Sequence, residues 1–224
     1  MAGKGNRRHI KRLASSKYMQ IQRQRAAYIA KPLPGAHTAI SSISLVSVLR
    51  DKLHAVASSA EAKSVIGSGS IEVNGRVVRE ERYAVGFSDI IHLKPESEYY
   101  KVVINHASSF ALDKCGKDEK RVLKITGKYT LRGGRLMLRL MNGSVVSAGE
   151  GMSVNDSVVV SSGSPEKVIK MEKGSKCLVI SGTHASEYGI IKELVSGTAS
   201  RLALAKVSGT SEFETPLRNI MAVE

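Results

Sequence analysis

Apolar residues recur at helical spacing in only one part of this 224-residue chain. Leu45, Leu49 and Leu53 fall on one stripe and predict an amphipathic helix over residues 44–56. Beyond Pro95 helical patterning nearly vanishes, and short β-type runs separated by turn residues continue to the last residues. The chain is therefore expected to be α+β in its first part and all-β in the rest.

Local signals place a second helix and a hairpin after the first helix. Ser58 and Glu61 form a capping-box pattern, which is typical of a helix start. Asn74 and Gly75 stand between two β-rich runs, and this pair favours a two-residue hairpin turn because both residues must take positive φ. A further strand is predicted over residues 89–93.

Two groups of short strands follow. The first group is predicted over residues 99–105, 123–126, 128–131, 135–140, 145–147, 157–160 and 168–171, with turns at Gly133-Gly134 and Asn142-Gly143. The second group is predicted over residues 177–180, 189–193, 201–207 and 220–223. Strands this short, packed into about 50 residues, favour a small closed barrel.

Charge is distributed unevenly along the chain. Lys and Arg number 34 against 20 Asp and Glu, so the net charge of +14 makes polyanions the first partners to consider. Residues 1–50 carry ten basic side chains and no acidic one. Because like charges repel and residues 32–35 oppose a helix, residues 1–41 are expected to be an extension without stable structure until a polyanion neutralises it. Part of this segment is expected to dock on another surface, because it is more apolar than a pure charge tail requires at Tyr18, Met19, Ile21, Tyr28 and Ile29.

Composition argues against several classes of protein. Cys115 and Cys177 lie 62 residues apart, without a second Cys or a His at metal spacing, which disfavours a zinc site or a secreted disulfide scaffold and favours a reduced, cytosolic protein. No stretch has the apolar length of a membrane span or the pattern of a signal peptide. Aromatic residues make up 4% of the chain, which disfavours a binder that depends mainly on base stacking.

Several strings, in a fixed order, resemble the ribosomal protein S4e family, which belongs to the small subunit of archaeal and eukaryotic-type ribosomes. Each string alone is common, whereas their order along nearly the whole chain is specific. The strings are Arg8-His9-Ile10-Lys11-Arg12-Leu13-Ala14, Val48-Leu49-Arg50-Asp51-Lys52-Leu53, Val73-Asn74-Gly75-Arg76-Val77, residues 83–91, Gly127-Lys128, Arg132-Gly133-Gly134-Arg135-Leu136, Asn142-Gly143, the KOW-like segments 173–182 and 189–192, and residues 213–220.

The resemblance implies a multidomain α+β and all-β fold. Its parts are a basic N-terminal extension (1–41), an S4-type RNA-binding α+β domain (42–95), a central small β domain (96–170) and a C-terminal SH3-like KOW barrel (171–224). The implied function is that of a structural constituent of the small ribosomal subunit, binding and stabilising ribosomal RNA during assembly and translation in the cytoplasm. The expected partners are small-subunit ribosomal RNA and neighbouring small-subunit ribosomal proteins, with no membrane and no small-molecule substrate.

Basic side chains are the candidates for RNA contact, because each phosphate that they neutralise releases condensed counterions. Arg50 and His54 are predicted to share one flank of the first helix. The resemblance implies that backbone N–H groups at Asn74 and Gly75 approach phosphates. The full set of RNA-binding candidates is Lys4, Arg7, Arg8, His9, Lys11, Arg12, Lys17, Arg23, Arg25, Arg50, Lys63, Asn74, Gly75, Arg76, Arg79, Lys128, Arg132 and Arg135.

The central domain is expected to present a basic sheet face. Residues 135–140 alternate, so that one face is apolar and the other carries Arg135 and Arg139. Lys124 and Lys128 are expected to add charge on and beside this hairpin.

Two other classes of function stay open. One is a KOW-containing transcription or ribosome-assembly factor that visits its target transiently. The other is an RNA-modifying enzyme, because S4-type modules also occur attached to pseudouridine synthases, which need a catalytic Asp in a large mixed domain. The region after Pro95 is too short and too β-rich for such a domain, and no phosphate-binding loop, zinc-protease motif or nucleophile elbow is present. The sequence therefore predicts no enzyme, no catalytic residue, no metal and no cofactor.

Overall fold

The computed structural model describes residues 8–20, 27–106, 108–117, 119–149, 151–161, 164–198 and 202–224. The described residues fall into two compact units, the first reaching Val103 and including Ser109–Lys117, the second comprising Ile104–Ser108 and the chain after residue 118. Both units are mostly β, with few helical turns and several separate sheets. The coarse expectation of a short helical region followed by β structure is confirmed.

Besides two 3-10 turns (Arg12–Ala14 and Lys17–Met19), the described residues of the first unit form nine strands, two α-helices and one π-helical turn. In chain order these are β1 (His9–Lys11), β2 (Tyr28–Ala30), β3 (Ser42–Ser44), α1 (Leu45–Ser47), a π-helical turn (Val48–Lys52), α2 (Ser59–Gly67), β4 (Ile71–Val73), β5 (Arg76–Val77), β6 (Ala84–Gly86), β7 (Ile90–Leu93), β8 (Glu98–Ile104) and β9 (Phe110–Cys115). They form a β1-β2 ribbon, a β3-β6 pair and a five-stranded sheet in the order β5-β4-β7-β8-β9.

Much of the N-terminal region is folded, which corrects the prediction of an extension that orders only on a polyanion. Strands β1 and β2 are antiparallel and pair Ile10 with Ile29. Ile29 and Met19 are only 2% and 0% exposed, and Leu33 N–H donates to the Arg82 carbonyl at 2.8 Å. The prediction is wrong for these residues because Met19 and Ile29 are buried. The cations Arg8, Lys11 and Lys17 stay exposed, and water screens the repulsion between them.

The first helix is shorter than its apolar stripe predicts. After α1 the chain widens into the π-helical turn, where Leu53 N–H donates to the Val48 carbonyl at 2.9 Å. His54 then takes a φ of +54°, a left-handed conformation that ends the helix. Consequently Arg50 and His54 do not share one helical flank, and that prediction is wrong.

The helix cap and the hairpin turn are confirmed. Ser58 Oγ accepts from Glu61 N–H at 3.1 Å, and the Glu61 carboxylate accepts from Ala57 N–H at 2.9 Å. Asn74 and Gly75 have φ values of +54° and +76°. Both signals are local, so they act whatever the rest of the chain packs against.

The five-stranded sheet of the first unit runs across the predicted domain boundary between residues 95 and 96. Strand β8 pairs antiparallel with β7, with Tyr100 opposite Ile91, and β9 extends the sheet beyond β8. Pro95 therefore lies in a tight turn between two paired strands. Strands β3, β6 and β9 had no counterpart in the sequence prediction.

The second unit contains ten strands in its described residues. These are β10 (Arg121–Thr130), β11 (Leu136–Leu140), β12 (Val145–Ser147), β13 (Ser157–Ser161), β14 (Ser164–Ile169), β15 (Lys176–Val179), β16 (Tyr188–Val195), β17 (Leu204–Ser208), β18 (Glu212–Pro216) and β19 (Ile220–Ala222), with a 3-10 turn (Leu217–Asn219) before the last. The first five form a sheet in the order β12-β11-β10-β13-β14, and the others form a sheet in the order β18-β17-β16-β15-β19.

Each sheet of the second unit has its own apolar core. Leu123, Ile125 and Leu138 belong to the first core, and Cys177 and Ile191 belong to the second. The two strands predicted over residues 123–131 are one continuous strand with a bulge, because a bulge lets a long strand bend without breaking its pairing. In the described part of the chain the second sheet is paired in an open order, where the sequence predicts a closed barrel.

Candidate nucleic-acid interface

Ion pairing divides the basic residues of the described chain into two groups. The first group contacts carboxylates and includes Arg50, Lys63, Arg82, Lys94, Lys114, Lys120, Lys167, Lys192 and Lys206. The second group has no carboxylate within ion-pair distance among the described residues and includes Arg8, Lys11, Lys17, Arg76, Arg79, Lys128, Arg132, Arg135 and Arg139. Charges of the second group are available to an external polyanion.

The ribbon β1-β2 presents one exposed face, which carries the cation of Lys11. Lys11 lies opposite the exposed Tyr28, and His9 lies opposite Ala30, whereas Ile29 packs inward on the other face. The predicted residues Arg8 and Lys17 are also exposed. Lys4, Arg7, Arg23 and Arg25 lie outside the described residues.

Arg12 differs from its exposed neighbours. It lies in a 3-10 turn, and its backbone N–H donates to the Ala27 carbonyl at 3.0 Å. Its side chain is half-buried, and its Nε is buried without a hydrogen-bond acceptor in the described part of the chain. An acceptor from outside the described residues would satisfy this donor.

The Arg50 guanidinium makes its hydrogen bonds within the first unit. Its Nε and Nη2 donate to the two Asp51 carboxylate oxygens at 2.8 and 2.7 Å, and its Nη1 donates to Ser59 Oγ at 2.5 Å. These hydrogen bonds to the Asp51 carboxylate raise the pKa of Arg50 above its ordinary value. Lys63 is likewise compensated by Glu81, at 2.9 Å. Arg50 carries little free charge, because a bidentate carboxylate neutralises a guanidinium locally. Lys63 is paired less completely, because its side chain is exposed and a surface ion pair is screened by water.

The turn residue Asn74 also makes its hydrogen bonds within the first unit. Asn74 Nδ2 donates to Asp89 Oδ1 at 2.7 Å, and Asn74 Oδ1 accepts from Ile90 N–H at 3.0 Å. The backbone N–H of Asn74, which the resemblance assigned to a phosphate, donates to the Ile90 carbonyl at 2.8 Å. Gly75 is exposed, with open space around the position of a Cβ.

A buried polar cluster lies behind this turn. The Asp89 carboxylate is 1% exposed, and its Oδ2 accepts from His37 Nε2 at 2.8 Å and from Gly86 N–H at 2.9 Å. The His37 ring packs on Gly86 so closely that a Cβ there would lie 2.3 Å from His37 Nδ1. No sequence pattern predicts this cluster, because its members come from distant parts of the chain.

Arg76 and Arg79 remain available around the turn. Arg76 follows Gly75 directly, pairs with Val73 across the hairpin and is exposed. The Arg79 guanidinium lies over Gly69, with Nε 3.5 Å from the position of a Cβ. Two arginines therefore flank the hairpin, and neither has a carboxylate within ion-pair distance in the described part of the chain.

Most of the cations predicted on the central hairpin are exposed. Lys128, Arg132, Arg135 and Arg139 are exposed. Lys128, however, lies opposite Leu138 and so on the opposite side of the sheet from Arg139.

Lys124 is not part of this exposed basic face. It is 4% exposed, and its Nζ donates to the carbonyls of Leu217 and Ile220, the latter at 2.8 Å. Burial lowers the pKa of Lys124 to about 8. The prediction that it adds surface charge is therefore wrong.

Within the described residues, no three His, Cys, Asp or Glu side chains are grouped so as to hold a metal ion. None of the helices in the described part of the chain has the length and apolar character needed to cross a membrane.

Comparison with known proteins gives matches along nearly the whole chain. Two family models match, the ribosomal family S4e over residues 96–166 and the RS4NT domain over residues 4–39. The small ribosomal subunit protein eS4 of Methanocella arvoryzae is 34% identical over 212 residues, covering 92% of this chain and 90% of the relative. The protein of the same name from Caldivirga maquilingensis is 31% identical, covering 96% of this chain and 94% of the relative. The crystal structure of the 30S ribosomal protein S4e from Thermoplasma acidophilum is similar, with a TM-score of 0.69, 27% identity and coverage of 82% of this chain and 95% of that one.

Proposed function

The chain belongs to the ribosomal protein S4e family, and on that premise we propose that it is a structural constituent of the small ribosomal subunit. The observation that carries this proposal is the match, over nearly full length, to relatives named as small-subunit proteins. Its role is to bind and stabilise ribosomal RNA during assembly and translation. The protein acts by positioning RNA, not by turnover.

The proposed domain layout follows the family. The region 1–41 is the basic N-terminal part and 42–95 the S4-type domain, whose sheet continues into β8 and β9. The rest of 96–170 is the central β domain, and 171–224 is the SH3-like KOW domain. The order β19-β15-β16-β17-β18, with a 3-10 turn before β19, supports the last assignment, because an SH3-like barrel brings its fifth strand back beside its first.

The proposed RNA contacts are the exposed cations for which the described residues offer no carboxylate within ion-pair distance. They form three groups: the head residues Arg8, Lys11 and Lys17 beside His9 and Arg12, the hairpin residues Arg76 and Arg79, and the central residues Lys128, Arg132 and Arg135. Lys4, Arg7, Arg23 and Arg25 extend the first group. Because separate surfaces on one chain raise each other's effective concentration, weak contacts combine into tight binding. Each contact releases counterions, so the binding is strongly salt-dependent.

The proposed partners are small-subunit ribosomal RNA and the neighbouring ribosomal proteins, in cytoplasmic ribosomes. Duplex RNA hides its base edges in a deep, narrow groove, so these cations read phosphate positions and helix shape.

Salt dependence of RNA binding tests this proposal. The full chain is titrated against a transcript of small-subunit ribosomal RNA at several KCl concentrations, and the slope of log K against log[KCl] is measured. Replacing Arg8, Lys11 and Lys17 by Gln is expected to reduce the slope by roughly 0.7–0.9 per lost contact. The matched control is Lys167→Gln, whose cation is exposed but bound to Glu224. Equal slopes for the triple variant and the wild type would overturn the assignment of these contacts.

A further inference from the structure

An exposed tyrosine lies in a stretch of the central hairpin that contains basic residues but no acidic ones. Residues 120–149 contain seven Lys or Arg and no Asp or Glu. Within this stretch Tyr129, on β10, is 41% exposed. No carboxylate is therefore present along the hairpin to repel a polyanion.

Strand register places Tyr129 beside the arginine side chains. Tyr129 lies opposite Met137, and Gly127 lies opposite Arg139, so these four positions occupy the same side of the β10-β11 ladder. Two residues before Met137, Arg135 is at the base of the hairpin turn, where its carbonyl accepts from Leu131 N–H at 2.8 Å. Leu138 lies on the opposite side and is buried.

The Arg139 side chain lies across the strand at Gly127. At Gly127 a Cβ would be 3.5 Å from Arg139 Nη2 and 3.7 Å from Nε, an ordinary van der Waals distance. The guanidinium therefore covers the position where another residue would carry its side chain. Thr126 Oγ1 donates to the Arg139 carbonyl at 3.0 Å and fixes the backbone beside it.

The face continues onto β12. Val145 lies opposite Arg139, and Ser147 lies opposite Met137. Val145 is 43% exposed, so the surface beside the Arg139 guanidinium is accessible to solvent. Side chains on a sheet stand at regular spacing, so an aromatic ring and flanking cations there form a platform for a flat ligand.

We propose that this surface, the Tyr129 platform (Tyr129, Arg135, Met137 and Arg139), stacks an unpaired RNA base on the Tyr129 ring. Arg139 and Arg135 hold the phosphates on either side of that base. The inference rests on the proposed function and deepens it, because it adds a single-stranded contact to the recognition of duplex phosphates. An unpaired base fits because its π-face is accessible, whereas bases in a duplex are already stacked on each other. An RNA base covers the exposed Tyr129 ring by stacking on it. The carboxylates of an acidic protein segment would pair with the arginines and leave that ring exposed, so RNA fits this surface better.

The test uses the full chain and a short single-stranded RNA with 2-aminopurine at one central position. Stacking quenches 2-aminopurine fluorescence, so the wild type is expected to quench it. Tyr129→Phe keeps the ring and should keep the quenching, whereas Tyr129→Leu should abolish it and weaken binding about ten-fold. The matched control is Tyr188→Leu, a tyrosine that is 68% exposed on β16. Arg139→Gln should lower the salt slope by roughly 0.7 while leaving the quenching in place.

The outcomes separate the two proposals. Equal quenching by wild type and a folded Tyr129→Leu variant, judged by its circular dichroism, would overturn the platform. Binding of structured ribosomal RNA with no quenching by the wild type would also overturn the platform and leave the proposed function intact. A wild type that binds neither RNA would overturn both.

Discussion

Asn74 and Asp89 are joined by a hydrogen bond of 2.7 Å from the turn amide to a buried carboxylate. The hairpin turn thus rests on the same carboxylate that accepts from His37 and from Gly86 N–H. One acidic side chain therefore holds the hairpin turn, the strand β6 and His37 of the N-terminal region. The hairpin that carries Arg76 is therefore positioned by a buried polar network.

Removing this carboxylate should destabilise the first unit strongly. Asp89→Ala leaves the donors of His37, Asn74 and Gly86 without their acceptor, and each buried unsatisfied group costs about 1–3 kcal/mol. We expect the free energy of unfolding to fall by roughly 3–5 kcal/mol in urea denaturation. Asp113→Ala, at an exposed site on β9, is the control and should change it by less than about 0.5 kcal/mol. Similar losses for both variants would contradict the network.

Lys124 should make stability depend on pH in an alkaline window. Its pKa is lowered from 10.5 to about 8 in the folded state, so between these values the unfolded chain binds the extra proton. Stability therefore rises as the pH increases from 8 to 10.5, by roughly 2–3 kcal/mol. Lys124→Met should remove this rise in denaturant titrations across the window, and Lys128→Met, at an exposed site, should keep it. An unchanged rise in Lys124→Met would show that another group is responsible.

Packing of the N-terminal region should be measurable without RNA. Met19 is fully buried, so Met19→Ala is expected to cost about 2–5 kcal/mol of unfolding free energy. Leu13 is 93% exposed, and Leu13→Ala should be nearly neutral. If Met19→Ala were as neutral as Leu13→Ala in the free protein, the N-terminal region would not be packed as described.

Arg50 and Arg76 should separate stability from RNA binding. Arg50→Gln breaks the hydrogen bonds to Asp51 and Ser59, so it should lower stability by about 1–3 kcal/mol and leave the salt slope of RNA binding unchanged. Arg76→Gln should leave stability unchanged and reduce the slope by roughly 0.7–0.9. The reverse pattern would mean that the paired arginine, not the exposed one, contacts RNA.

Signals carried by neighbouring residues were sufficient to predict local structure. The turn at Asn74 and Gly75 depends on two residues that tolerate positive φ, and the cap at Ser58 depends on a partner three residues later. The order of family strings predicted the family itself, which the comparisons confirm. The RNA-binding assignments of individual residues stay predictions.

Features that depend on distant residues were not predictable from these patterns. Lys124 is read from the sequence as a surface charge, but the carbonyls that bury it come from residues over 90 positions later. His37 and Asp89 are 52 residues apart. Arg50 lies on the predicted helix, but its charge is neutralised by Asp51, whose orientation depends on the π-helical turn. Its other hydrogen bond depends on where α2 places Ser59.

The stoichiometry of the protein in small ribosomal subunits tests the central claim most directly. Subunits are separated on gradients after washing in moderately high salt, and the chain is quantified by mass spectrometry against established subunit proteins. A structural constituent predicts about one copy per small subunit. Absence from mature subunits, or release by the wash, would contradict that account and favour a transient assembly or transcription factor.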